Sequence, residues 1–165
     1  MELPNPGSFM SEPDTGVLVT ELRGSSALVR VTDALTLRFG ADLSEDALAG
    51  RTELLRQVEV LHGRTRLRIE VVPRGGARVE GRAGGLRLHC PSRPELDLQL
   101  FSTMPLKGLD TIHELNEGEC LHLVLRWGGG AYSRILVSPD DPLKSTVDAW
   151  RRWMRVSPTR GHRSH

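Results

Sequence analysis

The chain has 165 residues, 22 Lys and Arg against 21 Asp and Glu, a formal net charge of +1 and 38% hydrophobic residues. That length fits one ordinary domain, and the near-neutral balance removes the cationic field on which non-specific nucleic-acid binding depends. No run approaches the ~18 apolar residues of a membrane span, and Met1 to Ser11 lacks the basic start and apolar stretch of a secretory leader. A cytoplasmic protein with neither nucleic-acid nor membrane partners is expected.

Residues 1–15 carry Pro4, Pro6 and Pro13 and are expected to form a flexible lead-in. From Val17 onward the pattern changes. Val17–Leu22, Ala27–Phe39, Leu54–Leu61, Thr65–Val72, Ala77–Gly81, Leu86–Cys90, Leu96–Ser102, Thr111–Leu115, Cys120–Trp127 and Tyr132–Val137 are short, leucine-rich or β-branched, and punctuated by Gly, Pro or Asp. In Arg66-Leu67-Arg68-Ile69-Glu70-Val71 the apolar side chains fall on one face and the charged ones on the other. Strands with one apolar face must stack on one another, so the predicted fold is a mainly β, antiparallel β-sandwich of supersandwich-like form spanning 16–156.

One helix breaks the pattern. Asp141-Pro142 supplies a capping acid before a proline, and Val147, Trp150 and Met154 recur at helical spacing, predicting an amphipathic helix over about 142–155. Residues 157–165 have no apolar anchor and read as a disordered basic tail.

The candidates for chemistry are few. Glu114, Glu117 and Glu119 gather around Gly118, as the carboxylate pair of a glycosidase would, but acids in a hairpin turn are ordinarily solvated. His113, Cys120 and His122 are zinc-ligand types without an established ligand spacing, so no metal and no cofactor is expected. Cys90 and Cys120 are too few for a disulfide framework and sit within strand patterns. The glycine-rich stretches lead into further strands and not into a helix, which excludes a phosphate loop. Trp127 and Tyr132 flank three glycines and are the paired aromatic candidate for stacking on a sugar, against a plainer role in closing a hairpin. The helix presents Trp150 and Trp153 beside Arg151, residue types favoured as anchors in contact surfaces, and either covers the sheet or docks a neighbouring domain.

Five stretches in order resemble the N-terminal β-sandwich domain of glycoside hydrolase family fifteen, the glucoamylase and trehalase-like enzymes. They are Pro13-Asp14-Thr15-Gly16-Val17-Leu18-Val19-Thr20, then Val31-Thr32-Asp33, then Leu55 to Gly63 with Val71-Val72-Pro73-Arg74, then Leu115 to Glu119, and finally Thr146-Val147-Asp148-Ala149-Trp150-Arg151-Arg152-Trp153. The likeness covers about Pro13 to Arg155, with Gly75-Gly76-Ala77 standing where that family has an aromatic and Tyr-Gly. In that family an α/α toroid follows the closing helix and supplies both catalytic glutamates, so no catalytic residue carries over to these 165 residues. The resemblance implies a non-catalytic domain that partners an α/α-toroid glycosidase domain through Trp150, Arg151 and Trp153. The other reading is a stand-alone module that binds an α-glucan or a protein.

Overall fold

The computed structural model describes residues 8–45, 48–73, 76–82, 84–95, 97–128 and 140–156. Alternating apolar residues form nine strands, β1 (Ser8–Ser11), β2 (Leu18–Arg23), β3 (Ala27–Leu37), β4 (Gly50–Glu70), β5 (Arg78–Arg82), β6 (Gly85–His89), β7 (Leu98–Ser102), β8 (Asp110–Asn116) and β9 (Cys120–Arg126), followed by helix α1 (Asp140–Val156). The expected mainly β, antiparallel fold with one C-terminal helix is what these residues adopt. The sheet order is β1-β2-β3-β4-β9-β7-β6-β5, with β8 attached to β4 alone. Within the stretch expected as a lead-in, Ser8–Ser11 forms β1 and pairs with Leu18–Glu21. Tyr132–Val137 and the tail 157–165 lie outside the described residues.

The two layers of the sandwich are joined by one strand. The break expected at His62-Gly63-Arg64 is absent, and β4 continues for 21 residues. Its first half pairs with β9 (Glu53 opposite Arg126 through Glu59 opposite Cys120), and its second half pairs with β8 (Arg64 opposite Asn116 through Glu70 opposite Asp110). Gly118 therefore turns no hairpin: β8 and β9 both run antiparallel to β4, one after the other, with a corner between them. Pairing is carried around that corner, where Gly118 N–H donates to Val60 O at 2.9 Å and Val60 N–H donates to Glu119 O at 3.1 Å. On β4 the corner falls at Gly63, whose φ of 79° is left-handed. A Cβ there would stand 2.0 Å from Ser26 O, so only glycine lets the β2–β3 turn approach this closely.

Register shows which residues share a face, since directly opposed side chains point the same way. Val29 faces Val60, Val31 faces Val58, Val58 faces Leu121, Leu54 faces Leu125, and Leu100 faces both Leu125 and Leu86. This inner face is aliphatic across most of the sheet. The arm formed by the second half of β4 and β8 lies over it. Ile69 and Leu115 are buried in one cluster with Val29, Val58, Val60 and Leu121, while Arg64, Arg66 and Arg68 stay on the wet side. Each such buried aliphatic side chain contributes about 1.5–3 kcal/mol, which holds the arm down. A second cluster, Leu86, Leu88 and Leu100, is capped by Val71, Leu106 and Leu109.

Candidate functional site

Helix α1 is anchored at its middle. Thr146 is fully buried; its hydroxyl donates to Pro142 O at 2.7 Å and accepts the Leu37 N–H at 2.9 Å, tying the helix to the end of β3. Ala149 packs with Leu37 and Ala41 in a small core that Leu43, Ala49 and Trp150 border. Trp150 lies on Gly16, where a Cβ would come within 2.7 Å of the indole, and Trp153 meets it edge-on with ring centroids 5.8 Å apart. Arg151 Nη2 donates to Glu12 at 2.7 Å. Of the three docking candidates, Trp150 and Arg151 thus make contacts within the chain, and Trp153 is half-buried against Trp150.

The same end of the molecule carries apolar groups that none of the described residues covers. Phe39 is 95% exposed and Leu48 is 90% exposed in the 38–50 connection, and Met154 and Val156 are 43% and 72% exposed on the last turn of α1. The connection and the helix pack on each other through Ala41 and Ala149, so the four groups ride on one joined unit. A cleft of about 570 Å³ beside Phe39 is lined by Arg51, Pro142 and Lys144.

The other candidates separate. Trp127 is half-buried and its backbone N–H donates to Thr52 O at 3.1 Å, closing β9 against the start of β4; Tyr132 lies outside the described residues. Cys120 and His122 do come together, with Sγ 3.7 Å from Nε2, but His113 stands on β8 opposite Leu67. Among the described residues no group of three or more His, Cys, Asp or Glu could hold a metal ion. No described helix is long and apolar enough to cross a membrane.

The three glutamates near Gly118 each have a partner of their own. Glu114 meets Arg64 at 3.2 Å, Glu119 accepts the Asn116 N–H at 2.7 Å, and Glu117 accepts the Gly63 N–H at 2.9 Å beside His62. The backbone bond from Gly63, and then the His62 charge, hold the Glu117 carboxyl below its ordinary range. Asp97 and Asp110 are likewise lowered, first by the hydrogen bonds from Arg87 and Arg68. Such carboxyls are fixed in the ionised form, whereas a glycosidase acid needs one raised by burial.

Glu53 is the polar residue that the sequence does not single out. It is 3% exposed, accepts from Thr36 Oγ1 at 2.9 Å and is bonded by Arg126 Nε, while the Arg126 guanidinium lies 5.2 Å from the Phe101 ring centroid. Only the β4–β9 register, which sets Glu53 opposite Arg126, reveals the pair. Glu53 is held from both sides, by Thr36 and by Arg126, so the cluster ties the ends of β3, β4 and β9 together.

No protein-family model matches this chain, and no curated protein matches its sequence. Function is therefore read from the geometry.

Proposed function

We propose that this chain is a non-catalytic β-sandwich domain that seats on an α/α-toroid glycosidase domain, in the arrangement its resemblance to glycoside hydrolase family fifteen implies. The observation that carries the reading is the apolar rim of Phe39, Leu48, Met154 and Val156 on the joined 38–50 connection and α1. Large exposed apolar side chains carried on one packed unit fit a contact surface, with Phe39 beside the first turn of α1 and Met154 and Val156 on its last. The helix that bears half of this rim is the one that closes the domain next to the toroid in the resembling family. Trp150 and Arg151 serve this seat by locking the helix to Gly16 and Glu12, and Trp153 stands at its edge. Lowered, ion-paired carboxyls support a supporting role in place of bond cleavage. The near-neutral charge and the two cysteines, which form no disulfide with each other, fit a cytoplasmic setting.

Sedimentation with a purified α/α-toroid domain of a glucoamylase-type glycosidase tests the reading. A 1:1 complex is expected, weakened about tenfold or more by Phe39→Asp, the loss typical of an anchor residue. Absence of a complex overturns it. So does hydrolysis of trehalose or maltose by the chain alone, or saturable heat on titration with a malto-oligosaccharide.

A further inference from the structure

Cys120 takes no part in the proposed seat. It is the first residue of β9, directly after the exposed corner of Glu117, Gly118 and Glu119, and is itself partly exposed. His122 follows two residues on, so both side chains leave the strand on the face opposite Leu121. There Sγ lies 3.7 Å from Nε2 and 4.0 Å from Nδ1. The imidazole is held in place: His122 is only 8% exposed, and its backbone is bonded to Thr103 twice. Its N–H donates to Thr103 Oγ1 at 3.0 Å, and its carbonyl accepts the Thr103 N–H at 3.1 Å.

A thiol beside an imidazole becomes a nucleophile when the ring can take its proton and stay in position as a cation. Both ring nitrogens are then N–H donors, and the second one needs an acceptor. β4 supplies it. Gln57 stands directly opposite His122, an arrangement that sets the two Cβ atoms about 4.5–5.5 Å apart. Its Oε1 is buried and has no hydrogen-bond partner among the described residues, although buried polar atoms are ordinarily paired. The charged groups on this face are Glu59, opposite Cys120, and Arg30, opposite Glu59. Arg30 is already bonded to Glu21 at 2.8 Å, so a reagent approaching the thiol meets the Glu59 carboxylate, which favours a cation. Thr103, on the other side, carries no charge. Glu59 also opposes a bare thiolate, which makes the imidazolium contact necessary to the chemistry.

We propose that Cys120 is a site of reversible thiol modification by small cationic disulfides, with His122 as its base and Gln57 as a positioning residue. The thiol proton passes to the His122 ring, the Cys120 sulfur attacks one sulfur of the disulfide, and the S–S bond of the reagent breaks. A mixed disulfide forms on Cys120 and the departing thiolate takes up the proton, so one disulfide is exchanged for another and no further oxidant is consumed.

The test treats the full chain with cystamine and locates the adduct by mass spectrometry. A free thiol is only about 3% thiolate at about pH 7, so complete ionisation raises its rate by up to about thirtyfold, less what a weaker nucleophile gives back. Cys120 is expected to react about fivefold or more faster than a cysteine in a short unstructured peptide, with the buried Cys90 unmodified. His122→Gln and, separately, Gln57→Leu remove that advantage at about pH 7 yet match the unaltered chain at about pH 10, where a thiol ionises without help. Gln57→Leu guards against a His122 variant that misfolds, because it deletes a buried polar atom that has no partner to lose. The comparison with the peptide needs no variant. The proposal is overturned if Cys120 reacts no faster than the peptide thiol or if Cys90 is modified first. Equal slowing of both variants at the two pH values marks a merely structural role and overturns it as well.

Discussion

Replacing Gly63 by Ala probes the corner on which the two layers depend. Two costs are legible in the geometry. A left-handed φ of 79° costs an L-residue about 1–2 kcal/mol. The new Cβ would also stand 2.0 Å from Ser26 O and 3.3 Å from Ala27 Cα, both backbone atoms, so the β2–β3 turn must retreat. Displacing packed backbone costs about 1–3 kcal/mol more, giving a total of about 2–5 kcal/mol. Gly118→Ala is the matched control on the partner strand, because its φ is 80° but nothing lies within 4 Å of its Cβ. It should lose only the conformational part, about 1–2 kcal/mol. Urea unfolding of the three proteins reads the difference as a shift in midpoint at unchanged slope. If Gly63→Ala costs no more than Gly118→Ala, the close approach of the β2–β3 turn to β4 is wrong.

Thr146→Val removes the acceptor of the Leu37 N–H at a buried position, so a loss of about 1–3 kcal/mol is expected in the same assay; a change below 0.5 kcal/mol, roughly the level of a surface substitution, contradicts the anchor. Arg126→Met leaves Glu53 buried and unpaired and should cost about 3–5 kcal/mol, most of which Glu53→Leu restores when the two are combined. An additive double variant would show that the two side chains do not meet. Asp97, Asp110 and Glu117 are lowered in the folded protein, so their stabilisation is present above the ordinary carboxyl range near about pH 4 and is lost as pH falls through the lowered values. Asp97→Asn should flatten the acid limb of a stability-against-pH curve, and an unaltered limb would refute the pairing with Arg87.

Much of the strand inventory is legible because period-two alternation reports one-sided burial: Leu67, Ile69 and Leu115 are on the face the pattern assigns them. The helix itself is legible at another period, with Trp150 turned inward and Arg152 outward, but Met154, which the same spacing puts on the apolar stripe, is 43% exposed, and the buried Ala149 is not on that stripe. The joining of β4 is not legible, since Gly63 reads as a chain break until Ser26 is seen beside it. Nor is the Gly118 corner, because a turn sequence carries no information on whether the strands it links pair with each other or share a third. Trp150 advertises an anchor, yet its partner is Gly16, a residue with no side chain to announce the contact. Glu53 alternates correctly onto the polar face, and only tertiary pairing with Arg126 makes it a buried charge. The exposed rim was hidden for a related reason: Phe39 and Leu48 sit in a connection, where apolar residues follow no period.

Amide hydrogen exchange on the complex with an α/α-toroid glycosidase domain tests the central claim most directly. Slowed exchange at 38–45, 48–50 and 150–156, with β5 and β6 unchanged, is the expected footprint. Protection confined to the β5–β6 edge, or no protection anywhere, would contradict the seat proposed for this domain.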